Sequence, residues 1–247
     1  GIRDVERSRG LGDVYKRQVY YNTNLAPSAS FVSTKVQRDL TSYAESSELN
    51  RYGARFKYSR FLKVIDSSHE SVTSNITTVE MRRDLRLAIS EVAEYAIDFG
   101  NEFHIQSMNG FNIRSSAFRV LNINTDVYLY DTPDSTGEKG QISLFSLNEG
   151  SSTPVIQRRN IGVIDYKKGR ITLDPINIVS GKTKDNVDIL EISATPESND
   201  IIGLQDLYLQ LDSSFVDMVV DEISSGADPS GSTYTVTTSY KNGNIIR

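Results

Sequence analysis

Residues 161–174, which read IGVIDYKKGRITLD, constrain the fold more than any other segment because they predict a complete β-hairpin. Apolar residues lead into Tyr166 and then a turn over residues 167–169, where Gly169 can adopt the left-handed backbone angles that close a three-residue loop. On the return strand, Ile171 and Leu173 alternate with polar residues, as in a strand with one buried face and one exposed face. Such hairpins occur in many β-proteins, so this segment alone predicts a fold class and no function.

Other segments extend the β pattern. Residues 127–130 and 141–147 alternate on either side of a turn-rich loop, TPDSTGEKG, which predicts a second hairpin. Further strands are predicted at residues 187–192, 207–211 and 233–240. We therefore expect an α+β fold that is predominantly β, with antiparallel sheets and hairpins and a few short helices.

Helical patterns are scarcer. Residues 59–65 predict a short helix that is capped by Ser59 and buries Phe61, Leu62 and Ile65. Apolar residues within 79–96 and within 213–224 fit either a strand or a helix. We favour a strand for residues 77–85 and again for residues 213–224.

The first eighteen residues, GIRDVERSRGLGDVYKRQ, show no apolar periodicity and resemble translated sequencing-adaptor sequence. A disordered basic arm is the alternative. We treat residues 1–18 as a leader outside the fold, followed by a β-rich region at 19–124 and a hairpin-rich region at 125–247. A polar stretch at residues 122–125 favours that division, and one continuous domain is the alternative.

Composition and spacing favour neither catalysis nor metal binding. The 247 residues include no cysteine, which excludes disulfides and thiolate metal sites, and His69 and His104 form no H-x-x-x-H pair. Neither a G-x-S-x-G motif nor a phosphate-binding glycine loop occurs. Carboxylate neighbours such as Asp217 with Asp221, or Asp188 with Glu191, are expected by chance among 32 acidic residues. We therefore predict no enzyme activity and no cofactor.

The charge pattern bears on partners. A net charge of −5 argues against a nucleic-acid-binding surface, which needs clustered lysine and arginine. One basic cluster, Arg82, Arg83 and Arg86, is interrupted by Asp84, so we expect a solvated face or an acidic protein partner there. No apolar run approaches the length of a transmembrane helix, so no membrane partner is predicted.

Three longer segments, together with the hairpin, resemble a known family. They are RYGARFKYSRFLKVIDSSHESVTSNITTVEMRRDLR at residues 51–86, YAIDFGNEF at 95–103 and ISATPESNDIIGLQDLYLQLD at 192–212. In this order and spacing they are similar to the C-terminal part of the baseplate wedge protein of contractile-tailed, myovirus-type bacteriophages. The similarity runs from about residue 31 to the end of the chain. Residues 85–94 depart from the family by their more helical pattern.

The resemblance implies a structural role in the virion. A protein of this family associates with a second copy of itself, as a homodimer, and with other baseplate wedge proteins. It helps to build the ring around the tail hub that rearranges when the sheath contracts, and it is assembled in the host cytoplasm. A carbohydrate-binding β-sandwich module of a tail fibre or adhesin is the alternative. Large interfaces derive most of their binding energy from buried aromatic and aliphatic residues, and the candidates are Tyr52, Phe56, Tyr58, Phe61, Tyr208 and Phe215.

Overall fold

The computed structural model describes residues 17–148, 153–204, 209–211, 216–222, 224, 240–241 and 244–245. It confirms a predominantly β, α+β fold with mostly antiparallel sheets. The two helices are α1 (Ala29–Ala44) and α2 (Tyr58–Asp66). The strands are β1 (Arg17–Tyr21), β2 (Arg55–Phe56), β3 (Val72–Thr77), β4 (Met81–Arg86), β5 (Val92–Asp98), β6 (Ile113–Ser115), β7 (Arg119–Val120), β8 (Tyr128–Pro133), β9 (Lys139–Leu147), β10 (Pro154–Asp165), β11 (Arg170–Ser180), β12 (Lys182–Lys184), β13 (Val187–Ala194), β14 (Ile201–Ile202), β15 (Asp217–Val220), β16 (Tyr240–Lys241) and β17 (Asn244–Ile245).

The first sheet has the order β15-β1-β3 and is packed against both helices. β1 is central, antiparallel to β3 and parallel to β15. α1 contacts α2 and β15, and α2 contacts β3. Val19 in β1 and Leu40 in α1 are both fully buried, so the helices and one face of the sheet share a core. Arg17 and Gln18 belong to β1, although the sequence placed them in the leader.

Helix α1 was not predicted from the sequence, although its local signals are present. The side chain of Ser28 caps the helix by accepting a hydrogen bond from the Phe31 N–H. Val32, Val36 and Leu40 then recur at four-residue spacing and are fully buried. These residues form the stripe that faces the sheet and α2.

The predicted short helix is confirmed as α2, but its predicted cap is wrong. The N-cap residue is Lys57, which makes no side-chain capping bond, and Ser59 lies inside the helix. The carboxylate of Asp200 instead accepts a hydrogen bond from the Tyr58 N–H at 2.8 Å. A residue far along the chain therefore satisfies the start of this helix.

The second sheet has the order β5-β11-β10-β9-β8, with β7 also paired to β11. The hairpin predicted at 161–174 is confirmed, and β10 pairs with β11 up to Asp165 and Arg170. That register leaves a four-residue turn, one longer than predicted, because Tyr166 belongs to the turn and is buried. Gly169 has a φ of 62°, and a Cβ atom there would collide with the backbone oxygen of Asn101. The hairpin predicted at 127–147 is confirmed as β8 and β9.

The third sheet has the order β12-β13-β4, and β6 also pairs with β13. It contains two of the strands predicted from the sequence. The strands predicted at 77–85 and 187–192 are confirmed as β4 and β13. Residues 85–94 contain no helix, because β4 ends at Arg86 and the chain turns at Ser90, which has a φ of 62°, before β5 begins.

The C-terminal predictions are resolved in part. The strand favoured within 213–224 is confirmed as β15. Of the strand predicted at 207–211, residues 209–211 are not in a strand, because Leu209 and Leu211 pack against the core without a strand partner. Residues 207–208 lie outside the described residues, as does most of 233–240, of which Tyr240 lies in β16.

Strands of the predicted region 19–124 pair with strands of the predicted region 125–247. β4 pairs with β13, β5 pairs with β11, and β1 pairs with β15. Residues on both sides of the predicted division therefore contribute to the same sheets and to one connected set of buried residues.

Candidate interaction surfaces

The histidines and carboxylates of the described chain form no metal centre. Within the residues that the structure describes, no three His, Cys, Asp or Glu side chains are grouped so that they could hold a metal ion. His69 Nδ1 lies 2.8 Å from the Ser71 hydroxyl, and His104 Nδ1 lies 2.7 Å from Glu197 Oε2 at the surface. Each histidine thus has a local polar partner.

The one fully buried carboxylate among the described residues belongs to Asp131 in β8. Its Oδ1 accepts hydrogen bonds from the backbone N–H groups of Asn112 and Ile113, and its Oδ2 accepts from the Asn112 side chain and the Tyr166 hydroxyl. Burial, and then the negative charge of Asp131, raise the pKa of Tyr166. Four donors on one carboxylate make a structural anchor and leave no acceptor for a substrate proton.

Sequence reasoning missed this anchor, although a signal for it exists. Leu129, Asp131 and Pro133 occupy alternate positions of β8 and share its buried face. An aspartate in an apolar position of an alternating strand indicates a buried polar network.

A cleft of about 700 Å³ is lined by residues of α2, β2, β4 and β14 and by the ends of β1 and β3. Phe56, Phe61 and Met81 are among its apolar lining residues. The guanidinium of Arg17 lies over the Phe61 ring, 5.1 Å from its centre, and Arg83 donates to the Asp98 carbonyl at 2.6 Å. The guanidinium groups of Arg17 and Arg83 therefore both interact with other groups of the same chain.

The basic cluster predicted at Arg82, Arg83 and Arg86 does not form one patch. Arg82 pairs with Asp84 at 3.3 Å, and the Arg83 side chain turns to Asp98. Arg86 is exposed. Strand alternation places Arg83 on the opposite face of β4 from the other two arginines.

The six predicted interface residues separate into core, surface and undescribed positions. Phe56 and Phe61 are 7% and 1% exposed, and their rings lie 5.4 Å apart in the core. Tyr58 is half-buried and its hydroxyl donates to the Thr77 carbonyl at 2.7 Å. Tyr52 is 59% exposed. Tyr208 and Phe215 lie outside the described residues.

The first sheet leaves one face and one edge uncovered by the described residues. Gln18 and Tyr20 of β1 alternate with buried residues. Gln18 pairs with Ile76 and Asp217, and Tyr20 pairs with Ser74 and Val219. Ile76 is 55% exposed, and Tyr20 and Val219 are half-buried. β3 lies at the end of the sheet order, so its outer edge pairs with no described strand.

The helices of the described chain include none that is both long and apolar enough to span a membrane.

Comparison with known proteins gives a family match for the segment that carries β1 and β3. Residues 14–84 match the family described as baseplate structural protein gp6, C-terminal domain III. The matched segment includes β1, both helices and β3, and it extends into β4. The chain matches no curated protein. The matched family is a structural protein of the phage tail baseplate, and the match supports such a role for this chain. This match confirms the predicted resemblance to the baseplate wedge protein of contractile-tailed phages up to residue 84, and the resemblance of the later segments stays a prediction.

Proposed function

We propose that this chain is a structural subunit of the phage tail baseplate wedge that works by self-association and by binding other baseplate proteins, without catalysis. The family match over residues 14–84 supports the proposal. That match does not favour a carbohydrate-binding module. Assembly in the host cytoplasm belongs to the same proposal, as does the lack of nucleic-acid and membrane partners. The net charge of −5 is in keeping with the lack of a nucleic-acid partner.

The edge of β3 is the surface best suited to self-association. The strand reads VTSNIT and carries no charge, so pairing it antiparallel with its own copy opposes no like charges. Native sheets commonly protect their edges with charged side chains or proline, and β3 has neither. Two-fold pairing of β3 with its copy would give a closed, isologous dimer.

Ile76 gives this edge an apolar contact. Its side chain is 55% exposed on the uncovered face of the sheet, opposite Gln18 and diagonal to the half-buried Tyr20. In the proposed dimer, Ile76 buries apolar area against the copy, which stabilises the dimer by about 25 cal/mol for each Å² removed from water.

Light scattering after size-exclusion chromatography of the full chain, over a range of concentrations, tests the proposal. We expect a dimer, and we expect Ile76→Lys to weaken it by at least about tenfold, because it places charges against each other at the interface. Val92→Lys is the matched control, because Val92 is 70% exposed on β5, the edge strand of another sheet.

Two results separate the parts of the proposal. A chain that stays monomeric at high concentration, and that fails to co-purify with the other wedge proteins, contradicts the function. A dimer that Val92→Lys disrupts and Ile76→Lys leaves intact contradicts the β3 surface alone.

A further inference from the structure

The first half of β10 has an edge that pairs with no other described strand. β9 pairs with β10 from Pro154 onward, whereas β11 pairs with it only between Gly162 and Asp165. Residues 154–160 therefore have β9 on one side and no described strand on the other. Such an edge offers backbone N–H and C=O groups to an extended segment of another protein.

This edge is cationic and its charge is not neutralised by the described residues. Arg158 and Arg159 are both exposed, and neither has a carboxylate within ion-pair distance in the described part of the chain. In the nearby turn and strand, by contrast, Lys167 pairs with Glu138 and Arg170 pairs with Asp98. A cationic edge on a chain of net charge −5 is a local feature and does not follow from overall composition.

The positive charge continues onto the adjoining sheet face. Arg159 lines an open cleft of about 620 Å³, together with Lys139 and the half-exposed Val163. Two carboxylates, Asp134 and Asp165, also line this cleft, and its four cationic side chains outnumber them; the cations are Lys139, Arg159, Lys168 and Arg170.

The geometry points to strand addition: we propose that residues 154–160 of β10 bind an extended, acidic segment of a partner protein, with Arg158 and Arg159 facing its carboxylates. A second copy of this chain is disfavoured, because self-pairing would bring arginine against arginine. Register shifts between Ile156 and Arg158 and between Arg158 and Gly162 also bend the strand, which opposes continued edge-to-edge stacking and suits a short segment. The inference rests on the proposed role as a subunit that binds other proteins, and it states the chemistry of one such partner.

Fluorescence anisotropy with the full chain tests the charge recognition. The probe is a labelled peptide in which pairs of adjacent glutamates alternate with pairs of threonines, so that both faces of the extended peptide carry carboxylates. The reference peptide carries glutamine in place of glutamate. We expect the glutamate peptide to bind at least about tenfold more tightly than the reference, and added salt to weaken this binding. The double variant Arg158→Glu with Arg159→Glu loses that preference and instead binds a lysine–threonine peptide.

Arg86→Glu provides the matched control, because Arg86 is exposed on β4 and has no carboxylate partner among the described residues. This variant should bind the glutamate peptide as the parent chain does. Circular dichroism of both charge-reversed proteins checks that each is folded.

Hydrogen–deuterium exchange tests the strand pairing. The glutamate peptide should slow exchange of backbone amides within residues 154–160, because strand addition gives unpaired N–H groups an acceptor. Peptide binding without this protection overturns strand addition.

Several other outcomes overturn the inference as well. They are equal binding of the glutamate and glutamine peptides, undiminished binding by the double arginine variant, tighter binding of a single-stranded oligonucleotide, and protection of 154–160 by self-association without peptide. A chain that dimerises but ignores the acidic peptide overturns this inference and leaves the proposed function standing.

Discussion

Tyr166 and Asp131 meet in the core, where the tyrosine hydroxyl donates to the carboxylate over 2.6 Å. Tyr166 is 1% exposed and Asp131 is fully buried, so ionising the tyrosine would place two negative charges side by side without water. Burial and the Asp131 charge therefore raise the Tyr166 pKa above its unfolded value of about 10. Because the folded state holds this proton more tightly, the associated stability is present below pH 10 and is lost as pH rises beyond about 10.

We expect Tyr166→Phe to lower the free energy of unfolding by about 1 to 2 kcal/mol at neutral pH, because it removes a donor from a buried carboxylate. Above about pH 10 the variant should lose stability less steeply than the parent. Urea denaturation followed by far-ultraviolet circular dichroism across pH measures both effects. Tyr52→Phe, at a position that is 59% exposed, is the control. Parallel pH profiles for Tyr166→Phe and the parent would contradict the argument.

At the level of single elements, the N-terminus of α2 is stabilised by Asp200, a residue that follows β13. The Asp200 carboxylate accepts from the Tyr58 N–H at 2.8 Å, and its negative charge interacts favourably with the helix N-terminus. Ser59, the cap predicted from the sequence, is an exposed residue within the helix. The local sequence predicted the position of the helix. It did not predict the partner of the Tyr58 N–H, because Asp200 is brought to the helix by the tertiary fold.

We expect Asp200→Ala to cost about 1 kcal/mol of stability, the usual cost of losing a helix cap. Ser59→Ala should cost nothing, because alanine is the better helix former at an exposed helical position. Chemical denaturation of the two variants beside the parent compares them directly. The opposite order of stabilities would return the capping role to Ser59.

On the scale of the whole molecule, strand pairing joins segments that are far apart in sequence. β4 and β5 lie in the predicted first region, and they pair with β13 and β11 in the predicted second region. Leu190 in β13 is fully buried where these segments meet. We therefore propose that the described residues unfold as one cooperative unit.

Native-state hydrogen exchange tests whether the described residues unfold cooperatively. Leu190→Ala should lower the opening free energy of amides in β1 and in β9 by the same amount, about 2 to 5 kcal/mol. Ile76→Ala, at an exposed position, serves as the control and should change little. A loss confined to β9, with β1 unchanged, would support two separate domains.

Structural features that depend on neighbouring residues could be predicted from the sequence. Alternation of Ile171 and Leu173 with polar residues gave the β10–β11 hairpin, because each strand face is set by a period of two. The same local reasoning could have located α1, since its cap at Ser28 and its four-residue apolar spacing lie within one segment. The family resemblance likewise rested on local segments, and it is the matched segment that carries β3.

Contacts between distant segments set which apolar residues face inward and which edges pair with no described strand. Phe56 and Phe61 were predicted as interface candidates, yet Phe56 lies in β2, paired with β14, and Arg17 covers Phe61. Residues 79–96 fitted both periodicities, and pairing of β4 with β13 and of β5 with β11 selected strands on either side of a turn. The edges of β3 and β10 that pair with no described strand likewise follow from where the other strands pair. Burial and strand pairing are set by residues far apart in the chain, so periodicity within one segment cannot specify them.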